Sequence, residues 1–339
     1  MAETANIAEI AKKILNDIFG VFFWELRPIE DTNFDCVLDE HHSPTGKDKA
    51  SHPCDVLFHY VDPYLNKTVY LHTDLKSYAK KSLQQKKIRD ALNSLGMTLA
   101  CAHVSQSWRD KYPREDGEAY EIRGLLFVAN HDGKAPLDFS PQLNKITKNN
   151  LTVAKSQTLH VLGPRQISDL YSIAADIKLS IHDKKLSQRY RFFYPDLTLW
   201  KRLVADDVRT AATIETLMSP YFILRHDAIK DENGAVTLNV GSLIYYSRPG
   251  ETVDEFVYLL DSLLRFQLVK ANEIIRIRLF NREKSSNFKN NFDKAKVKYC
   301  KTWGFEGTRV EEINAITIDS ISQMSPNYSP DEIGWKEKK

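Results

Sequence analysis

Residues 53–78 read PCDVLFHYVDPYLNKTVYLHTDLKSY. Two β-branched and aromatic runs, Asp55 to Val61 and Thr68 to Tyr78, flank the turn-forming Asp62-Pro63-Tyr64-Leu65-Asn66-Lys67, and this pattern predicts a β-hairpin. Side chains of a strand alternate between its faces, so Asp74 and Lys76 point one way while Leu71, Thr73 and Leu75 point the other, toward a core. If Tyr64 to Lys67 make the turn, Pro63 pairs with Thr68 and Asp55 lands opposite Lys76, on the open face that carries Asp74.

Two carboxylates and a lysine on one face form a chemically meaningful set. Phosphodiester hydrolysis calls for a hard divalent cation such as Mg²⁺, which prefers carboxylate and carbonyl oxygens, and for positive charge where the transition state is most negative. A lysine supplies that charge, and it can also help deprotonate the attacking water if its surroundings lower its pKa.

Ile7, Ile10, Ala11, Ile14, Leu15 and Ile18 recur at helical spacing before Gly20, which predicts an opening amphipathic helix. Val21 to Ile29 reads as a strand, and Asp31 to Pro53 as a polar loop or insertion. After the hairpin come a helix over roughly Lys80 to Leu95 and a strand from Glu121 to Ala129, closed by His131-Asp132-Gly133. The order is helix, strand, hairpin, helix, strand.

Pro53-Cys54-Asp55 followed by Asp74-Leu75-Lys76 resembles the motif of the PD-(D/E)xK nuclease superfamily, and the element order over about residues 5 to 130 resembles its restriction-endonuclease-like αβββαβ core. The resemblance implies that Asp55, Asp74 and the carbonyl of Leu75 hold Mg²⁺, with Mn²⁺ as a substitute, and that Lys76 attends the attacking water. Many members add a glutamate from the first helix; Glu9 ranks first here, although it lies about 160° around the wheel from the Ile7, Ile14, Ile18 face, and Glu25 ranks behind it. Gln84 and Gln85 stand where some branches turn a polar side chain toward the site. Lys80, Lys81, Lys86, Lys87 and Arg89, with Gln84, form a candidate nucleic-acid-binding stripe, because cations make most sequence-independent phosphate contacts.

The second half reads as an α+β domain: helix over Gln166–Ile181, irregular aromatic stretch at Arg191–Leu199, strands at Tyr221–His226 and Val236–Tyr246, helix at Thr252–Val269, strand at Glu273–Phe280, helix at Phe288–Trp303 and strand at Val310–Ile318. We therefore expect a nuclease domain over 1–135, a linker or boundary region over 136–165, a recognition or sensor domain over 166–325 and a polar tail over 326–339. Basic residues at Arg276, Arg278, Arg282, Lys284 and Lys289 to Lys301 suggest a second charged face.

Composition narrows the alternatives. The net charge of +2 gives no whole-molecule pull toward a polyanion, so nucleic-acid contact must come from local patches. Cys36, Cys54, Cys101 and Cys300 show no CxxC spacing, which argues for free thiols in a reducing, cytoplasmic setting and against a zinc ribbon. Asp39, Glu40, His41, His42 and His52 read as a polar loop near the mouth of the site, since adjacent histidines rarely converge on one ion. No apolar run reaches the ~20 residues of a membrane span. Nucleophile-elbow, phosphate-loop and His-Glu-x-x-His motifs are missing from the sequence. The expected function is a metal-dependent endonuclease, with DNA as the expected substrate class, in a layout that resembles effectors of bacterial defence against phage and mobile elements. A protein trigger on the second domain and a homodimer that cuts both strands are further expectations. A catalytically inactive binding protein and an RNase or toxin-like effector stay open as alternatives.

Overall fold

A computed structural model describes residues 2–27, 33–42, 46–112, 117–134, 140–146, 151, 153–154, 156–195, 209–326 and 328. The chain divides into two units: Met1–Ser168 together with Ser325–Lys339, and Asp169–Met324.

The first unit runs α1 (Ala2–Asp17), β1 (Glu25–Leu26), β2 (Phe34–Asp35), β3 (Ser51–His52), β4 (Val56–Asp62), β5 (Lys67–Tyr78), α2 (Gln85–Val104), α3 (Gln106–Lys111), β6 (Tyr120–Asn130), α4 (Ser140–Asn144) and β7 (Leu159–Leu162). Its main sheet has the order β1-β4-β5-β6-β7, with β2 and β3 forming a separate two-stranded ribbon. The β4–β5 hairpin is antiparallel, whereas β6 lies parallel to β5 from Thr68↔Tyr120 to Tyr78↔Asn130, a connection that requires the crossover helix α2. This is the αβββαβ order expected from the sequence, with β7 added at the edge.

Aromatic packing explains one face of the sheet. Ala11 and Ile14 of α1 and Ile18 just after it are fully buried, and the next residue, Phe19, stacks on Trp24 at 4.3 Å and meets the edges of Phe58 at 5.0 Å and Phe127 at 6.3 Å. The other face is covered too: Tyr70 packs with Leu57, Leu99, Cys101, Trp108 and Tyr112. Gly124 of β6 permits that cover, because a Cβ there would lie 2.5 Å from Leu159 and 3.0 Å from both Leu95 and Leu99. Asp74 and Lys76 therefore do not stand on an open face; they lie at the partly covered end of a face that is closed further along the strand.

The hairpin register differs from the expected one. Asp62 pairs with Lys67 and Val56 with Thr73, so the turn is Pro63 to Asn66, one residue earlier than predicted. Asp62 causes the shift: its Oδ1 accepts the N–H groups of Tyr64 at 2.9 Å and Leu65 at 3.0 Å, and its carbonyl accepts that of Asn66 at 2.8 Å. Asn66 takes the left-handed φ of 51°, which asparagine tolerates. The turn keeps an even length, so the facing of side chains survives, but Asp55 is brought opposite Asp74 rather than Lys76.

Other boundaries also move. The strand expected over Val21–Ile29 is mostly a 3₁₀ turn, Phe19–Phe22, followed by the short β1. The helix expected from Lys80 begins at Gln85, after a 3₁₀ turn at Lys80–Ser82 and the buried Leu83. The Asp31–Pro53 stretch holds β2 and β3, and 136–165 holds α4 and β7, whose four residues are too few to give a periodic signal. Residues 135–139, 147–150, 152 and 155 of that boundary region lie outside the described residues.

The second unit contains α5 (Pro164–His182, within which the division falls), β8 (Tyr190–Phe192), α6 (Ile214–Leu217), β9 (Tyr221–His226), β10 (Ile229–Lys230), β11 (Val236–Leu238), β12 (Gly241–Tyr246), α7 (Val253–Arg265), β13 (Ile274–Leu279), α8 (Phe288–Trp303), α9 (Thr308–Asn314) and β14 (Thr317–Ser320). Its sheet has the order β14-β13-β12-β9-β8, and Phe256, Leu259, Leu260 and Leu263 of α7 are fully buried against it with Phe292 and Ala295 of α8. The helix α7 is thus a core helix. The strand expected over Val310–Ile318 is instead α9 followed by β14: Val310, Ile313 and Ile316 recur every third residue, a helical spacing. The single strand expected over Val236–Tyr246 is split into β11 and β12. Much of the presumed basic face is neutralised locally, with Arg278 on Asp176, Arg282 on Asp169, Lys289 on Asp319 and Lys298 on Asp254. Of the tail, Tyr328 is described and is no polar appendage: it is buried on Phe127 of the first unit, ring centroids 5.8 Å apart. Residues 327 and 329–339 lie outside the described residues.

Candidate active site

The two carboxylates come from adjacent strands of one hairpin. Asp55 directly precedes β4, and its Oδ2 accepts the backbone N–H of Leu75 at 3.1 Å, beyond the last ladder pair Val56↔Thr73. N–H and C=O of one strand residue point to the same side, so the Leu75 carbonyl faces the same edge as Asp55. Asp74 carries an ion pair to Lys76, Nζ to Oδ1 2.5 Å, with the two side chains 18% and 34% exposed.

The electrostatics follow from this crowding. Burial, then the Asp74 carboxylate beside it, push Asp55 up to about 6, against the relief given by the Leu75 N–H and the Lys76 ammonium. For Lys76, burial pulls downward, but Asp74 and Asp55 outweigh it and leave the ammonium above its ordinary value. The lowered lysine pKa that a general base would need is therefore not the state of this site; Lys76 is a firmly held cation. Burial pushes His72, on the same strand face, down to about 4, so it is neutral. Burial also pushes the Cys54 thiol up to about 12, which makes it inert packing rather than a nucleophile.

The remaining candidates separate. Glu9 is exposed on α1. Glu25 pairs across the sheet with His59, four residues along β4 from Asp55 and so about 13 Å from it at strand spacing. Gln84 is exposed and hydrogen-bonds the Lys81 carbonyl, while Gln85 reaches the Lys145 carbonyl. Lys80 and Lys81 belong to the 3₁₀ turn, whereas Lys86, Lys87 and Arg89 belong to the start of α2, so the stripe is two clusters broken at Leu83. No side chain caps α2 and no acid lies in its first turn, leaving its N-terminal amides beside Lys86 and Lys87.

Two groups near the carboxylates escaped the sequence reading. Tyr78, two positions past Lys76 on the same strand face, lies in the field of Lys76 and Asp74, with Lys87 Nζ 5.7 Å from its ring centre. The period of two through Asp74, Lys76 and Tyr78 was the available signal. Lys49, in the loop before β3, lies in the field of Asp74 and of two thiols; nothing in its local sequence points to that.

The polar loop also behaves otherwise than expected. His42 does pair with Asp48 on the surface, but His41 and His52 turn inward and meet Cys36 and Cys101. All four cysteines are free of disulfides.

Among the described residues, no helix is long and apolar enough to cross a membrane. No curated protein matches the chain. Residues 1–166 match a family model described as the GAPS4 protein PD-(D/E)XK nuclease domain, a span that takes in the hairpin, both carboxylates, Lys76 and α2. Over that N-terminal stretch, the chain carries a PD-(D/E)XK nuclease domain similar to that of GAPS4 proteins.

Proposed function

We propose that the chain is a metal-dependent endonuclease acting on DNA, with Asp55, Asp74 and Lys76 as its catalytic residues. The observation that carries this reading is the pair of carboxylates held on one strand face with the Leu75 amide on one and the Lys76 ammonium on the other. Two mutually repelling carboxylates, one driven upward in pKa by the other, suit a hard divalent cation, and an all-oxygen donor set favours Mg²⁺ or Mn²⁺. A bound ion of this kind polarises a phosphoryl oxygen and lowers the pKa of a water. Asp55, Asp74 and the Leu75 carbonyl would hold it. Lys76 stays charged, so its work is to orient the water and to stabilise negative charge on the phosphate. Its ammonium is held on Asp74 Oδ1, beside the carboxylates that would carry the ion.

The uncapped start of α2 with Lys86 and Lys87 suits a backbone phosphate, which helix N-termini and lysines bind without regard to sequence. A role in defence against phage or mobile elements rests on the layout of a nuclease domain followed by a second α+β domain. The Lys76–Asp74 ion pair also favours a second reading, a binding protein that keeps the nuclease fold and uses these charges only structurally. Incubation with duplex DNA, single-stranded DNA and RNA, each with Mg²⁺ or none, decides between them. Mg²⁺-dependent cleavage of duplex DNA supports the proposal, cleavage of RNA alone moves the substrate, and no cleavage of any of the three favours the binding protein.

A further inference from the structure

Cys36 follows β2, His41 stands in the loop beyond it, His52 ends β3, and Cys101 projects from α2. Their four donor atoms lie within 4.8 Å of one another. Cys36 Sγ is 3.6 Å from Cys101 Sγ and 3.5 Å from His41 Nδ1, Cys101 Sγ is 3.3 Å from His41 Nδ1, and His41 Nδ1 is 3.4 Å from His52 Nε2. Zinc bonds of about 2.3 Å to sulfur and about 2.05 Å to nitrogen give a tetrahedron with edges of about 3.8 Å (S to S), about 3.6 Å (S to N) and about 3.3 Å (N to N). The four measured edges match their counterparts to about 0.3 Å or better.

The surroundings are those of metal ligands. Thr98 Oγ1 donates to the Ser94 carbonyl at 2.9 Å, which leaves it to accept Nδ1–H of His52 at 3.3 Å. That fixes the tautomer, with the Nε2 lone pair of His52 aimed at the centre of the cluster. Burial holds the Cys101 thiol above its ordinary value, against the opposing pull of the Val37 and Leu38 backbone beside it. His52 and Cys101 are fully buried and His41 nearly so.

We propose that Cys36, His41, His52 and Cys101 bind a structural Zn²⁺ ion that fastens the β2–β3 insertion to α2. Sulfur and imidazole donors select zinc over the hard ions suited to Asp55 and Asp74, and four protein ligands leave no open position for catalysis. Binding expels the two thiol protons of Cys36 and Cys101 to solvent and gives a neutral centre. The site serves the carboxylates indirectly. His52 stands three residues before Asp55, its ring stacks on Phe34 at 5.5 Å, and the loop between His41 and His52 carries Lys49 toward Asp74. The ion fixes the approach of the chain to its first catalytic aspartate.

Metal analysis of the full-length protein, purified under reducing conditions without chelator, should find about one zinc per chain. Cys36→Ser and Cys101→Ser should each lose it, whereas Cys300→Ser keeps it. Should the serine variants fail to fold, Co²⁺ exchanged into the wild type must show thiolate charge-transfer and tetrahedral visible bands. The double variant Asp55→Asn with Asp74→Asn keeps its zinc, so a failed nuclease assay and a failed zinc assay are separate results. The proposal is overturned by a wild type that neither contains zinc nor takes up added Zn²⁺ when reduced. It is equally overturned by a Cys36–Cys101 disulfide in protein isolated with thiols blocked, or by undiminished zinc in folded serine variants.

Discussion

Replacing Asp55 with asparagine tests the electrostatics of the carboxylate pair without changing its shape, since the amide oxygen still accepts the Leu75 N–H. In the wild type, burial and Asp74 push Asp55 to about 6 from an ordinary 3.8. Between those values the native state binds more protons than the unfolded one, so stability falls as pH rises from about 4, and the penalty is complete above about 6. At about 1.4 kcal/mol per pKa unit the ceiling is roughly 3 kcal/mol; partial solvent access and the coupling to Asp74 and Lys76 reduce it to about 1–2 kcal/mol. Each kcal/mol moves the midpoint of a domain this size by about 2–4 °C, so Asp55→Asn should raise Tm by about 3–6 °C near pH 7.5 while abolishing cleavage. Calorimetry should be run in buffer freed of divalent ions by resin, because a strong chelator would also strip a Cys/His-bound zinc. At about pH 4.5 the folded wild-type carboxyl is mostly protonated and the gap should shrink to about a third. Mn²⁺ at about ten times its Kd then stabilises the wild type by about 1.4 kcal/mol and the variant far less, which narrows or reverses the order. An Asn variant no more stable than wild type near neutral pH, or an advantage that persists unchanged in acid, would refute the reasoning.

Asp74→Ala and Lys76→Ala should each reduce nucleic-acid cleavage by about 100-fold or more with an unchanged circular dichroism spectrum, since neither side chain fills the core; wild-type rates in either would remove that residue from the site. Lys86→Gln with Lys87→Gln should weaken DNA binding and lower the slope of log affinity against log salt by about 1–2, with the Mn²⁺ stabilisation intact; an unaltered slope would take α2 out of the interface. Tyr328→Ala should destabilise the first unit by about 3 kcal/mol by exposing Phe127, seen as a lower melting midpoint; a midpoint within error of wild type would contradict the packing.

What could be read in advance was what local pattern controls. The β4–β5 hairpin, the helical faces of α1 and α7 and the shared facing of Asp74 and Lys76 follow from periods of 2 and 3.6 over long segments. The hairpin register was missed by one residue because Asp62 builds the turn with its own side chain, a choice that composition alone does not rank against a start at Tyr64. The cover on the Asp74 face was missed because alternation says which residues share a face, not whether a helix lies over it. The Cys/His cluster was illegible for a stronger reason. Its ligands at 36, 41, 52 and 101 follow no short spacing, and only the crossover helix brings Cys101 to the insertion. The same features that argued against a zinc ribbon say nothing about a site assembled from distant segments.

Tyr328 carries a consequence for the order in which the protein is made. Its ring sits on Phe127, its hydroxyl reaches Asp17 at 3.4 Å, Lys13 lies over it at 5.5 Å, and its carbonyl accepts the hydroxyl of Ser77, one residue past Lys76. All of these partners lie within residues 13–127, yet the residue that joins them comes after the whole second unit has been synthesised. The packing around Phe127 and Ser77 is therefore completed by a residue that is translated after the second unit. The scaffold that carries the two carboxylates is in this way tied to a segment lying beyond the unit that follows it in the chain.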